Sequence, residues 1–338
     1  MEPDELVRTD RLGPALAEIT GDDAWRDVHA ELISGGKSNL TFFLRSDAGE
    51  LVLRRPPTGE LLPSAHDMMR EARVQQALAD TPVPTAPIIL ADSGDLIGVQ
   101  AYVMGKVPGH IIRGELPADY ATTPAERVAM SEVFVDTMAA IHAVDTDAVG
   151  LSDYGRPAGF MERQIRRWGG QWEKSKSHDV AEIDELGRRL AAAIPPQRRS
   201  GIVHGDFKID NVVYDETNPG RIAAVLDWEL STLGDPMVDV GMLQLYWRNA
   251  VDGPLPLVPG VTHLPGFPDS DTLIKRYAAA SGADLSDLGF YRAFAHFKFA
   301  IIAQGVSARF KAGVMGDQHL DNLDDDIKAL AADGLNYI

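Results

Sequence analysis

The chain has 338 residues, 45% of them hydrophobic and 24% charged, so it can bury a sizeable core in two domains or in one large bilobal domain. Its formal net charge of -18 argues against non-specific binding to nucleic acid and against adhesion to an anionic membrane. Because the sequence contains no cysteine, disulfide bonds, thiolate catalysis and cysteine-ligated metals are excluded.

The N-terminal third is predicted to form a small sheet with one inserted helix. Its acidic start, Met1–Glu5, has no apolar core, and no segment approaches the length of a membrane span, so we expect a cytoplasmic protein. Helical spacing marks residues 10–19 and, with Ser64 as the cap, residues 64–79. Strands are predicted over residues 28–34, 40–45, 51–55, 88–91 and 99–104.

The chain becomes mainly helical after a segment rich in glycine and proline at residues 105–109, which we interpret as a hinge. Two predicted strands, 202–213 and 222–226, flank an Asn-Pro-Gly turn. Helices are predicted over residues 123–142, 160–174, 180–193, 237–247, 270–280, 285–310 and 320–332. The sequence therefore predicts an α+β protein with an antiparallel-sheet lobe over residues 1–104 and a larger, mainly helical lobe over residues 105–338.

One stretch, His204–Asn211, concentrates the residues that carry chemistry. It reads His-Gly-Asp-Phe-Lys-Ile-Asp-Asn, and a second aspartate, Asp227, follows at the end of an apolar run. Phosphoryl transfer needs a carboxylate to orient a hydroxyl, a cation for the transferred phosphate and oxygen ligands for Mg²⁺. Asp206, Lys208, Asn211 and Asp227 supply that set.

The triplet Gly36-Lys37-Ser38 suggests a Walker A loop, but two features argue against one. That motif requires an earlier glycine where this chain has Glu31, and it requires a helix where residues 40–45 are strand-like. A glycine turn between antiparallel strands can instead cover phosphates with its backbone N–H groups, as in kinase-type folds.

These motifs resemble the kinase-like fold, and specifically the aminoglycoside phosphotransferase superfamily of small-molecule kinases. Gly205 stands where protein kinases have arginine, and Asp227-Trp228-Glu229 stands where they have Asp-Phe-Gly. Both departures are those of the small-molecule branch. The resemblance runs from about residue 25 to about residue 310, and it implies a bilobal protein-kinase-like fold.

By this resemblance, the cofactors are ATP and Mg²⁺. Asp206 would orient the substrate hydroxyl, Lys208 would lie near the transferred phosphoryl group, and Asn211 and Asp227 would hold the metal. The nucleotide would be bound by the glycine turn, by Arg54 in the place of the family's lysine with its partner Glu71, and by the hinge strand. These cofactor-binding residues are Ser34, Gly35, Gly36, Lys37, Ser38, Asn39, Arg54, Glu71, Met104, Gly105 and Val107.

The acceptor is expected to be a small hydroxylated molecule. Residues 156–176 are basic in a strongly acidic chain, and their aromatic wall suits an anionic acceptor. Residues 52–57, 62–67 and 160–168 also resemble the kinase-like domains joined to acyl-CoA dehydrogenases, which favours a hydroxy acid or a hydroxyacyl thioester. The expected substrate residues are Arg163, Arg167, Trp168, Trp172 and Glu229.

Three other functions compete with this interpretation. The acidic tail, residues 312–338, suits a cationic aminoglycoside as acceptor. Arg54 in place of lysine leaves open a nucleotide-binding pseudokinase scaffold. A protein kinase is disfavoured, because the short run between Asp227 and Asp239 leaves hardly any room for an activation loop. We expect Asp239 to brace the catalytic hairpin and His204 to pack rather than react. The sequence does not indicate the oligomeric state.

Overall fold

The computed structural model describes residues 2–33, 39–58, 66–252, 255–258, 260–311 and 323–338. Its α-helices are α1 (Pro3–Val7), α2 (Thr9–Thr20), α3 (Met68–Leu78), α4 (Pro124–His142), α5 (Phe160–Ser175), α6 (Ala181–Ala192), α7 (Met237–Tyr246), α8 (Ser270–Ser281), α9 (Leu288–Lys311) and α10 (Leu323–Leu335). Its strands are β1 (His29–Leu32), β2 (Leu40–Ser46), β3 (Gly49–Arg55), β4 (Ile88–Asp92), β5 (Ala101–Gly105), β6 (Gly201–Val203), β7 (Val212–Tyr214), β8 (Ile222–Val225) and β9 (Thr232–Gly234). Within these described ranges, no helix is both long and apolar enough to cross a bilayer.

The chain divides into two compact units. The first contains Met1–Gly109 and Ala223–Ser231, and the second contains His110–Ile222 and Thr232–Ile338. The predicted division at residue 104/105 differs from this one because the short segment around Asp227 packs on α3 of the first unit.

The first unit is built on an antiparallel sheet with strand order β1-β2-β3-β5-β4. Apolar residues cover both of its faces. Leu53 packs in a cluster with Leu12 and Trp25, whereas its neighbour Val52 packs in another with Met68 of α3. Consecutive strand residues point to opposite faces, which explains why Leu51, Val52 and Leu53 of β3 are all apolar.

The same alternation places Arg54 on the α3 face of the sheet, two residues after Val52. Helix α3 is capped by Asp67, whose Oδ1 accepts the Arg70 N–H at 3.0 Å, so the helix begins after residues 66 and 67, which were predicted to be helical. The predicted cap, Ser64, lies outside the described residues. Asp67 offers the carboxylate oxygen that an N-cap needs directly before the apolar repeat. Glu71 lies one turn into the helix and is buried.

The second unit is centred on α9, which is buried along most of its length and packs against α5, α6, α7 and α10. Helix α4 begins with a capping box in which Thr123 and Glu126 satisfy each other's backbone N–H groups, as the Thr-Pro-x-Glu sequence indicates. Strands β6 and β9 pair antiparallel, with Ile202 opposite Leu233.

The predicted strand over residues 202–213 is wrong in its middle. Strand β6 ends at Val203, and β7 begins only at Val212 after one 3₁₀ turn. Between them, Gly205 has a φ of 85°, a conformation that breaks strand geometry and favours glycine. This interruption forms the loop that carries Asp206.

Asp239 of α7 braces this loop, as the sequence predicted. Its Oδ2 accepts the His204 N–H at 2.7 Å, and its Oδ1 accepts the Gly205 N–H at 2.9 Å. His142 Nε2 lies 3.1 Å from the same carboxylate. Burial alone would raise the pKa of Asp239, but His142 and the Gly205 N–H hold that pKa below its usual value.

The tight contact between α7 and α9 depends on a glycine. A Cβ added to Gly241 would lie 2.4 Å from the Tyr291 carbonyl oxygen and 2.7 Å from its carbonyl carbon. We expect Gly241→Ala to lower the free energy of unfolding by about 1–3 kcal/mol, because backbone must shift to admit the methyl group. In α5, a Cβ on Gly170 meets no described atom within 4 Å, so Gly170→Ala should stabilise by about 0.5–1 kcal/mol. Urea denaturation of both variants measures this difference, and equal effects would contradict it.

Asp239→Asn should lower the free energy of unfolding by about 3 kcal/mol at pH 7, because it removes a buried charge that several donors share. The folded pKa is depressed, so this stabilisation is present above the unfolded aspartate value of about 3.9 and is lost as pH falls below it. Denaturation from pH 7 to pH 3 should therefore show the deficit shrinking.

Asp136 provides the control for this variant, since it is 44% exposed and pairs with Arg276 at 2.7 Å. Asp136→Asn should change stability by less than about 1 kcal/mol. A deficit in Asp239→Asn that is the same at pH 7 and pH 3 would show that the charge of Asp239 does not stabilise the fold.

Candidate active site

The carboxylate of Asp206, in the second unit, is held by three donors. Lys208 Nζ lies 2.6 Å from Oδ2, Asn211 Nδ2 donates to the same oxygen at 3.0 Å, and the Tyr246 hydroxyl donates to Oδ1 at 2.8 Å. Burial disfavours the charged form, but Lys208, Lys298 and Tyr246 together hold the pKa of Asp206 below its usual value. The group is therefore an ionised, oriented acceptor at neutral pH.

Local structure explains why the motif brings these groups together. The single 3₁₀ turn at Ile209–Asn211 folds the chain back, so that Asn211 Nδ2 also donates to the Asp206 carbonyl oxygen at 2.8 Å. The predicted proximity of Asp206, Lys208 and Asn211 is therefore observed.

Sequence reasoning missed two residues beside Asp206. Tyr246 ends α7, and burial raises the pKa of its hydroxyl well above 10, so it remains a donor. Lys298 lies in the middle of α9, where its Nζ donates to the Gly205 carbonyl oxygen at 2.6 Å. A lysine inside the apolar run Phe297-Lys298-Phe299 was a usable signal, because charged residues are rarely buried without a partner.

The first unit contains Arg54, the cationic residue that was predicted to bind the nucleotide phosphates. Arg54 lies 3.1 Å from Glu71 and 3.1 Å from Asp227, and its side chain is 12% exposed. The Tyr102 hydroxyl also donates to Glu71, at 3.0 Å. Burial would lower the pKa of Arg54, but Tyr102, Glu71 and Asp227 raise it above its usual value, so the guanidinium keeps its charge. Burial also raises the pKa of Glu71, and Arg54 opposes that shift.

Asn39 is a buried brace rather than an open contact for phosphates. It is 4% exposed, and its Nδ2 lies 3.2 Å from Glu71 and 3.1 Å from Glu229. Its Oδ1 lies 2.7 Å from His66 Nδ1. Glu229, predicted to face the substrate, is thus bound within the first unit. The rest of the predicted phosphate loop (Ser34, Gly35, Gly36, Lys37 and Ser38) lies outside the described residues.

The predicted adenine-binding residues Met104, Gly105 and Val107 lie at the end of β5 and just after it. Met104 is buried beside Val52 on the α3 face, and Val107 packs against the same cluster. The Gly105 N–H donates to the Pro87 carbonyl oxygen at 2.8 Å. That N–H is therefore engaged with the protein's own backbone, and the expected contact of Gly105 with adenine stays a prediction.

Side-chain oxygens determine which of the described residues can bind a metal ion. The described residues contain no group of three His, Cys, Asp or Glu side chains that could hold a metal. Mg²⁺ in kinase sites needs only one or two protein oxygens besides phosphate and water. Asn211 uses its amide nitrogen on Asp206, which leaves Oδ1 as its ligand atom. Asp227 is 32% exposed, with one carboxylate oxygen on Arg54. Each of these side chains, within its own unit, has an oxygen of the type that Mg²⁺ prefers.

The predicted acceptor wall on α5 is only partly exposed. Trp172 is 2% exposed and its indole N–H donates to Asp184 at 2.7 Å, so its assignment to the substrate was wrong. Arg163 donates to the carbonyl oxygens of Arg156 and Ala158 and therefore holds the preceding loop. Arg167 is exposed, and its guanidinium lies 5.7 Å from the Trp168 ring centroid.

A small crevice in the second unit lies beside Lys208 and Tyr246. Its walls are mostly apolar and are formed by Phe134, Phe207, Ile209, Leu243, Trp247 and Val258.

Comparison with known proteins gives consistent results. Residues 29–294 match the phosphotransferase enzyme family designated APH. A protein of Ralstonia eutropha JMP134, described as a candidate aminoglycoside phosphotransferase, is 34% identical, with a TM-score of 0.74 and 92% of each chain covered. An aminoglycoside phosphotransferase solved with ADP and hygromycin B is 17% identical, with a TM-score of 0.62 over 96% of this chain and 98% of that one, which is a likeness of fold alone.

Two curated relatives are much longer than this chain. Acyl-CoA dehydrogenase family member 11 of Rattus norvegicus is 38% identical over 289 residues, which are 82% of this chain and 36% of the relative. Acyl-CoA dehydrogenase family member 10 of Mus musculus is 34% identical over 314 residues, which are 91% of this chain and 29% of the relative. This chain thus spans about a third of each. The chain belongs to the APH phosphotransferase enzyme family and has that family's kinase-like fold.

Proposed function

We propose that the chain is an ATP-dependent phosphotransferase that moves the γ-phosphoryl group to a hydroxyl of a small metabolite. The observation that carries this proposal is the state of Asp206, an ionised carboxylate fixed by Lys208, Asn211 and Tyr246. A fixed carboxylate can accept a hydrogen bond from an alcohol and take up its proton as the oxygen attacks phosphorus.

The roles that we propose for the other site residues follow from the charge or the oxygen atoms of their side chains. Lys208 Nζ is hydrogen-bonded to Asp206, where its positive charge would offset charge on the transferred group. Arg54, kept charged by Glu71 and Asp227, would bind phosphate oxygens of the nucleotide. Asn211 and Asp227 would supply metal ligands, and bound Mg²⁺ would neutralise phosphate charge. The ADP in a neighbour of the same fold supports an adenine nucleotide.

For the acceptor we propose a hydroxy acid or its hydroxyacyl thioester. Arg167 offers an exposed cation for the anionic end of such an acceptor. The names of the long relatives, acyl-CoA dehydrogenases, agree with an acyl substrate. An aminoglycoside acceptor is the second candidate, because solved neighbours are described as aminoglycoside phosphotransferases.

Asp206→Asn should greatly slow turnover but leave nucleotide binding intact. We expect phosphoryl transfer to fall by about 10²–10⁴-fold, the usual contribution of a general base. Thermal stabilisation by ATP and Mg²⁺ should persist, because a ligand that binds the folded state raises its stability. The assay is ATP consumption across a panel of hydroxy acids, their thioesters and aminoglycosides.

Asp136→Asn, a surface carboxylate change, serves as the control and should leave turnover unchanged. Nucleotide stabilisation of the wild type without Asp206-dependent turnover on any acceptor would instead identify a binding scaffold.

Arg167→Ala should raise KM for an anionic acceptor by about tenfold, with kcat little changed. This factor corresponds to the free energy of one charge-assisted hydrogen bond. Arg166→Ala is the matched control, since Arg166 is its exposed neighbour on α5 and points elsewhere around the helix. Initial rates against acceptor concentration give both constants. Equal KM values in the two variants, or turnover of kanamycin-like amines alone, would reject the anionic acceptor.

A further inference from the structure

Packing alone does not explain why a lysine, Lys298, is buried in the middle of α9. Lys298 is 5% exposed and lies between the buried residues Phe297 and Phe299. Burying an ammonium group is unfavourable unless it is hydrogen-bonded and its charge is compensated. An apolar side chain of the same length would fill this space without that penalty.

The contacts of Lys298 point to the catalytic loop. Its Nζ donates to the Gly205 carbonyl oxygen at 2.6 Å, and the same nitrogen lies 5.7 Å from the Trp168 ring centroid. The aromatic face stabilises a desolvated cation. Burial lowers the pKa of Lys298, while the charges of Asp206 and Asp239 work in the opposite direction.

Gly205 is consequently held from two helices. Asp239 of α7 accepts its N–H at 2.9 Å, and Lys298 of α9 binds its carbonyl. The carbonyl belongs to the planar peptide group that joins Gly205 to Asp206. The hydrogen bond from Lys298 therefore fixes the orientation of that peptide plane, to which the Cα atom of Asp206 is attached. A loop residue with a φ of 85° would otherwise have wide conformational freedom.

We propose that Lys298 is a positioning residue, which fixes the Gly205–Asp206 peptide and thereby aims the Asp206 carboxylate at the acceptor hydroxyl. The inference rests on the proposed phosphotransferase function. It assigns no contact with substrate to Lys298, which acts through Asp206.

The decisive variant is Lys298→Met, which keeps the side-chain length but removes the donor and the charge. We expect kcat to fall at least about tenfold while KM for the acceptor and Kd for ATP stay within about twofold, because misaimed groups slow the reaction without weakening binding. Lys298→Arg keeps a charged donor and should retain more of kcat than Lys298→Met. Lys328→Met, on α10 at a side chain that is 64% exposed, is the control and should match the wild type.

Amide hydrogen exchange gives a readout that does not depend on turnover. In Lys298→Met, the amides of Gly205 and Asp206 should exchange faster, whereas those of α4 should be unchanged. If Lys298→Met fails to fold, Lys298→Gln, which keeps a neutral donor, is measured in the same way.

The outcomes separate the two proposals. If the wild type has no Asp206-dependent turnover, the proposed function fails, and hydrogen exchange alone decides whether Lys298 orders the loop. An unchanged kcat in Lys298→Met, or a slow variant with unchanged exchange at Gly205 and Asp206, would overturn the positioning role. A fall in kcat that only parallels a loss of folded protein would also overturn it.

Discussion

The buried carboxylate of Asp239 sets the backbone on which the catalytic loop depends. Two consecutive N–H groups, those of His204 and Gly205, follow the end of β6, and the carboxylate accepts both. Unpaired buried N–H groups would be unfavourable. This contact lets the chain turn at Gly205, so that Asp206 meets Lys208 and Asn211 on one side and Tyr246 on the other.

The first unit has an arginine, Arg54, where the sequence resemblance implies a lysine, and the guanidinium is well accommodated there. The planar guanidinium directs two nitrogens at once, one to Glu71 and one to Asp227, whereas an ammonium is a single point charge. Strand alternation supplies the direction, since Arg54 shares its face of the sheet with Val52 and Tyr102. Asn39 ties the same glutamate to Glu229, so the predicted substrate residue has a structural partner.

Site residues that are close together in the sequence could be predicted from it, whereas those on distant helices could not. Asp206, Lys208 and Asn211 lie in one short stretch of sequence and could be grouped from spacing alone. Tyr246 and Lys298 come from helices that are apolar around them, and only tertiary packing shows that they face the loop. Trp172 was misassigned because one-turn spacing from Trp168 does not reveal which face of α5 packs on the core. The strand over 202–213 was overextended because its apolar residues continue through the loop that Gly205 opens.

The arginine at position 54 also decides which chemical reagents can report on this site. Nucleotide analogues that acylate or form imines with a lysine amine need an unprotonated nitrogen as nucleophile. A guanidinium remains protonated in proteins, and here Glu71 and Asp227 reinforce its charge. Amine-directed profiling of nucleotide-binding proteins would therefore find no reactive group at residue 54, even with the nucleotide analogue bound.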